Sequence, residues 1–276
     1  MTALRTRRAA ALIAATGLSA LAVGCASASS SSTTARSAPA STPSLSSSAP
    51  TSSASAAGGP APTVLAAASL TKVFPKIESG AKYTFGGSGM LAAQIDQGAP
   101  ADVYAAASPK DPATLLAKGL IDKPSVFATN TLVLIVPTRN PARIKSVAQI
   151  TRPGVKIVIC NATVPCGDYA RNAFMHLGIS TAAMNNVVRQ ATDVTQVVAE
   201  VASGQADVGF VYVTDAKAAM GKVSVVHLPA AAKPGTMDEI AVVKKAPDPA
   251  AAKAFVARVL SGQGQAMLRA AGFGKP

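Results

Sequence analysis

Short β-branched runs alternate with helix-period stretches from residue 62 to residue 276, and that alternation narrows the fold more than any other feature of the chain. Strands are expected at 63–67, 82–86, 102–106, 131–137, 155–160, 187–190, 207–212, 223–228 and 239–244. Helices are expected at 70–79, 89–97, 111–119, 145–150, 168–177, 194–203, 213–219, 248–261 and 263–270. Strands separated by helices pair in parallel, because each crossover returns the chain to the same end of the sheet. The expected class is α/β, with mainly parallel sheets flanked by helices. In such sheets ligands bind beyond the carboxyl ends of the strands, where strand-to-helix loops gather.

The residues before this region have another character. Arg5, Arg7 and Arg8 precede an apolar run at 9–23. That run is shorter than the roughly twenty residues a membrane span needs, so 1–24 read as an export signal. Leu21-Ala22-Val23-Gly24-Cys25 resembles a bacterial lipobox, which makes Cys25 the expected lipidation site and the new N-terminus. Residues 25–61 are dominated by Ser, Ala, Thr, Pro and Gly, with too little large apolar surface to offset the entropy of ordering them. They read as a flexible tether with a root-mean-square reach of ~30–35 Å. The expectation is an exported protein held on the outer face of the cell membrane through a lipid on Cys25.

Charge and composition remove several function classes. Four of the 26 basic residues precede residue 62 and none of the 13 acids does, which leaves 22 against 13, a net +9, on 62–276. The basic residues are dispersed, so the field favours small anions over a nucleic-acid backbone. No Trp and 4% aromatics leave few rings for bases to stack on. Three Cys and two His are too few for a structural zinc cluster, and no cofactor is implied.

Four strand-to-helix loops share small or hydroxyl residues: Ala66-Ala67-Ala68-Ser69, Phe85-Gly86-Gly87-Ser88-Gly89, Val164-Pro165-Cys166-Gly167 and Ala191-Thr192-Asp193-Val194. A helix start exposes unpaired N–H groups and a partial positive charge, and small residues let an anion approach them. Taken singly, Ser69 and Ser88 also read as plain N-caps. Four such loops together point to one shared anion cradle.

These residues resemble the ModA family, the molybdate-binding lipoprotein or periplasmic component of ABC importers. The resemblance covers nearly all of 62–276 and rests on AAASL (66–70), FGGSGMLAAQIDQGAPADVYAAAS (85–108), PCG (165–167), ATDV (191–194), GFVYVTDA (209–216) and MLRAAGFGKP (267–276). It implies a two-lobed periplasmic-binding-protein type II fold with two hinge crossovers. Lobe 1 would be 62–131 with 237–276, and lobe 2 would be 132–236. It also implies that molybdate, and tungstate with it, is held by neutral donors alone: the hydroxyls of Ser69, Ser88 and Tyr212 and the backbone N–H groups of Cys166 and Val194. Molybdenum would thus be bound as molybdate, by a monomer that delivers it to a permease and its ATPase. Tyr212 also reads as a packed strand residue.

Cys160 and Cys166 bracket five residues and, in an exported protein, read as a disulfide; two buried thiols or a redox pair are the alternatives. Asp168, in the first turn of the next helix, would repel an anion and is expected to face away. A same-fold protein for another oxyanion such as sulfate is the nearest alternative function. A tethered serine acyl-transfer enzyme is the alternative of another class, because Ser69-Leu70-Thr71-Lys72 fits S-x-x-K. No Ser-Asp-Asn or Lys-Thr-Gly follows it, and Lys233-Pro234-Gly235 replaces the middle residue. Gly87 to Ala92 fits a relaxed G-x-G-x-x-A, without the acidic residue that dinucleotide binding needs about twenty positions later.

Overall fold

The computed structural model describes residues 61–276 apart from residue 234. The expected export signal, Cys25 and nearly all of the tether lie outside the described residues. In chain order the elements are β1 (Thr63–Ala67), α1 (Phe74–Ile77), β2 (Lys82–Gly86), α2 (Ser88–Asp96), β3 (Val103–Ala106), α3 (Lys110–Ala117) and β4 (Ser125–Pro137). There follow β5 (Ile157–Cys160), α4 (Pro165–His176), α5 (Ser180–Asn185), β6 (Val187–Ala191), α6 (Val194–Ala202), β7 (Val208–Tyr212), α7 (Val213–Ala218), β8 (Val223–Val226), β9 (Gly235–Val242), α8 (Pro249–Leu260) and α9 (Gly262–Ala271).

The strands run in the order β2-β1-β3-β9-β4-β7-β5-β6, with β8 paired to β4. Parallel pairing holds for β1 with β2 and β3, and for β5 with β6 and β7. At the centre the expectation of parallel strands gives way: β9 is antiparallel to β3 and β4, and β4 is antiparallel to β7 and β8. The long β4 causes this. Its residues up to Thr131 pair with β9, and those from Leu132 onward pair with β7 and β8. One strand therefore serves two groups of parallel strands.

Each group has a helix-covered interior. β5 (IVIC) and β7 (VGFVY) are buried along their whole length, the pattern of strands covered on both faces. Phe174 and Phe210 meet edge to face at 5.1 Å between α4 and β7. Phe74, Phe127 and Phe255 cluster on the other side, with centroids 5.8 Å and 5.5 Å from Phe74. On α6 the buried residues Val194, Val197 and Val201 fall at helical spacing, and its Asp193 N-cap accepts from the N–H groups of Thr195 and Gln196 at 2.8 Å and 3.1 Å.

Four local departures from the sequence reading appear, in two expected helices, in α5 and in β4. The helix expected at 70–79 is a 3-10 turn at Ala68–Leu70 followed by the short α1. Pro75 explains the break: it has no N–H to continue a helix begun upstream and is tolerated only in a first turn. The helix expected at 145–150 is a 3-10 turn at Val147–Thr151. α5 and the first half of β4 were not expected, and the polar SVFATN opening of β4 (125–130) is why that strand reads short.

The strand joint contains buried polar groups. The Asn130 amide donates to the Thr214 hydroxyl at 3.0 Å, and the Thr236 hydroxyl donates to the Ala107 carbonyl at 2.9 Å and stands 2.8 Å from the Tyr169 phenol. Asp238 on β9 is fully buried, and neither carboxyl oxygen has a hydrogen-bond partner. Burial, reinforced by Asp215, pushes its carboxyl well above the usual range. Asp215 is pushed up to about 7 by burial, against the N–H of Tyr212 that its carboxylate accepts at 2.9 Å.

The sign of the linkage follows. Between about pH 4 and 7 the folded Asp215 holds a proton that the unfolded chain has released, so its contribution to stability declines as pH rises through that window, and Asp238 acts in the same sense. Asp238→Asn is expected to melt higher than the wild type at pH 8, by more than about 1 kcal/mol of stability, with the gap nearly closed at pH 4. Thermal denaturation at the two pH values measures this; a lower midpoint at pH 8 would mean that the charged carboxylate is engaged and stabilising.

Candidate functional site

The carboxyl ends of β1, β2, β5, β6 and β7 converge on one cavity, lined by residues 67–69, 86–88, 107, 164–166, 193–194 and Tyr212. All five predicted residues, Ser69, Ser88, Cys166, Val194 and Tyr212, are on its wall. The space is small, about 10 Å³ when measured as room for the centre of a water-sized sphere, which admits one compact group and no sugar or nucleotide. No Lys, Arg or His lines it.

Each wall residue is placed by its local structure. β1 runs directly into the 3-10 turn, which buries Ser69 and leaves its Oγ without a hydrogen-bond partner. The turn's N-cap is Ala67, so Ser69 does not act as the plain cap that the sequence also allowed. Gly87 is the N-cap of α2, and Ser88 is its first residue. The Ser88 Oγ accepts the Ala107 N–H at 3.1 Å, which leaves its own hydrogen free to donate, and the Tyr104 phenol fixes the Ser88 carbonyl at 2.9 Å. Tyr212 closes β7. Its phenol is buried without a partner, and burial, with Asp238 the next largest cause, raises it well above the ordinary tyrosine value, so it remains an O–H donor.

The other donors come from helix starts. Cys166 is in the first turn of α4, after Pro165, and is bridged to Cys160 with a Cα separation of 5.7 Å. The Gly167 N–H is taken by the Val164 carbonyl at 2.9 Å, so Cys166 rather than Gly167 offers its amide. At α6 the Asp193 carboxylate engages the amides of Thr195 and Gln196, and Val194, the first helical residue, keeps its N–H. Asp168 is not on the cavity wall; its carboxylate lies 3.7 Å from the Lys110 ammonium, across the boundary between the two strand groups.

Two glycines of the loop at 85–89, Gly87 and Gly89, have a steric role. A Cβ on Gly87 would stand 2.7 Å from the Thr192 carbonyl oxygen, and one on Gly89 would overlap the Thr163 carbonyl. The α2 loop thus meets the β5–α4 and β6–α6 loops at backbone contact, which only glycine permits. The signal was present as G-S-G, but its reason is visible only once both loops are in place. The S-x-x-K reading fails on geometry: an acyl-transfer serine needs its base within hydrogen-bond reach, and the Ser69 Oγ has no partner.

Residues 53–274 match the family described as bacterial extracellular solute-binding protein. The chain is 40% identical over 223 residues to the molybdate-binding protein ModA of Mycobacterium tuberculosis H37Rv, a match spanning 77% of this chain and 84% of that protein. The ModA protein of Haemophilus influenzae is 30% identical over 198 residues, covering 66% of this chain and 78% of its own. Among solved structures, the periplasmic molybdate-binding protein of Azotobacter vinelandii has a TM-score of 0.69 and 25% identity, covering 78% of this chain and 99% of that one.

The Cys160–Cys166 bridge closes the loop that presents the Cys166 amide. Replacing both cysteines by serine is expected to lower unfolding free energy by about 2 kcal/mol, the loop-closure value for so short a ring. Urea denaturation of the oxidised wild type and the double variant measures the loss; coincident midpoints would show that the bridge contributes nothing to stability.

Proposed function

The chain belongs to the bacterial extracellular solute-binding proteins, in the family of the molybdate-binding protein ModA, and we propose that it captures molybdate, and tungstate with it, for delivery to the permease and ATPase of an ABC importer. It is a binding protein and not an enzyme. In this reading it acts as a monomer outside the cell, anchored through a lipid on Cys25 and the 25–61 tether. The two strand groups, 62–131 with 237–276 and 132–236, act as lobes that close on the ion.

One observation carries the reading: Ser69 and Tyr212 line a compact cavity, and the buried hydroxyl of each has no partner among the described residues. Leaving such groups unpaired costs on the order of 1–3 kcal/mol each, so a site that keeps them is built for an acceptor. A tetrahedral dianion supplies acceptors on every side. Ser69, Ser88 and Tyr212 would donate from hydroxyls, and Cys166 and Val194 from amides at helix starts, where the macrodipole adds attraction without a paired cation. Molybdate and tungstate carry no proton near neutral pH. A protonated phosphate brings an O–H that this donor set leaves without an acceptor. Sulfate shares the charge and shape but is smaller, so it would reach fewer of the donors at once.

Isothermal titration with molybdate, tungstate, sulfate and phosphate tests the assignment. Sub-micromolar binding of the first two and none of phosphate is expected; sub-micromolar sulfate with no molybdate would reject it. Ser69→Ala and Tyr212→Phe should each weaken molybdate binding at least about tenfold, about 1.4 kcal/mol, without lowering the melting point of the unliganded protein. Ser88→Ala should lower both, because the buried Ala107 N–H loses its acceptor.

A further inference from the structure

Two wider openings adjoin the small cavity, and their charges differ. The first, about 370 Å³, shares Ser69 with the cavity and is bordered by Lys72, Lys76 and Lys217, with Met267 and Phe273 in its walls. No Asp or Glu lines it. The second, about 290 Å³, shares Val164 and Pro165 with the cavity and carries Asp111 and Asp168 against the single cation Lys110. Among the described residues, Lys72 and Lys76 form no ion pair. Lys217 donates to the Ala270 carbonyl at 2.8 Å, which ties α7 of one strand group to the C-terminal end of α9 in the other.

Resting on the oxyanion reading above, we infer that the lysine-bordered opening is an outer anion station and the route by which the dianion reaches Ser69, while the aspartate-bearing opening is closed to it electrostatically. Charges of one sign on a cleft with low-dielectric walls focus the field into that cleft, and the apolar walls here supply the low dielectric. Ser69 borders both openings, and its hydroxyl is buried between them without a partner among the described residues, so an ion leaving the lysines reaches the inner cavity at a residue that holds an unpartnered donor. The station also gives Lys72 a role that S-x-x-K did not: three residues beyond Ser69, it borders the approach and is exposed to solvent. An ammonium there attracts the ion without binding it so tightly that transfer inward is blocked, because water screens the exposed charge.

Stopped-flow mixing with sodium molybdate, followed by tyrosine fluorescence, tests the route. The variant is Lys72→Gln with Lys76→Gln; the control, Lys123→Gln with Lys145→Gln, removes the same net charge from residues that border neither opening. At about 10 mM ionic strength the first pair should slow association about fivefold or more with the dissociation rate little changed, and the gap should vanish above about 0.5 M salt. The control pair should associate within about twofold of the wild type. Equal slowing in both pairs would reduce the effect to net charge and overturn the route, as would unchanged association in the Lys72 and Lys76 variant. Failure of the wild-type protein to bind molybdate at equilibrium would instead remove the underlying oxyanion reading, and the route with it.

Discussion

A hydroxyl group buried without a partner is a standing cost, and the inner cavity of this protein is lined by two residues that carry one, Ser69 and Tyr212, from opposite strand groups. Their positions follow from strand ends: one stands just beyond β1, the other at the end of β7. Parallel strands within each group bring their carboxyl ends to one side, so hydroxyls and helix-start amides from five loops meet without any loop being long. The glycines at 87 and 89 then let backbone approach backbone, and the cavity shrinks to the size of one compact ion. A larger residue at either position would separate donors that have to act together.

Charge is arranged around the same constraint. The cavity wall has no cation among the described residues, and the carboxylates near it are turned to other partners or buried behind it. Asp193 is turned to the first amides of α6, Asp168 to Lys110, and Asp215 to the Tyr212 N–H. Asp238 is buried without hydrogen-bond partners among the described residues, and burial pushes its carboxyl well above the usual range. Its ionised form raises the Tyr212 phenol further and would repel a dianion beyond it. The lysines stand outside, at the border of the wider opening, and none lines the inner cavity.

Much of this arrangement was legible in the chain, and the failures have local reasons. The four small-residue loops marked a shared anion cradle, because a helix start and its preceding strand are both written in short-range pattern, and the resemblance then pointed to Ser69, Ser88, Cys166 and Val194 within them. Tyr212 came through resemblance alone, since a tyrosine ending an apolar strand looks like core until its phenol is seen without a partner. The N-cap alternative for Ser69 and Ser88 was reasonable from sequence and wrong in register by one or two positions, with Ala67 and Gly87 taking the cap sites. β4 read as a strand only from residue 131 because its first half is polar, yet that half joins the two groups by pairing with β9. The buried acids were invisible: nothing in M-D-E or V-T-D-A says that Asp238 and Asp215 lie inside.

The most direct test is a crystal of the protein grown with molybdate and measured on both sides of the molybdenum absorption edge. A single anomalous peak is expected in the cavity, with Ser69 Oγ and Tyr212 Oη both within hydrogen-bond distance of the ion's oxygens. A peak elsewhere, or one in the cavity with either hydroxyl turned away and still unpartnered, would contradict it.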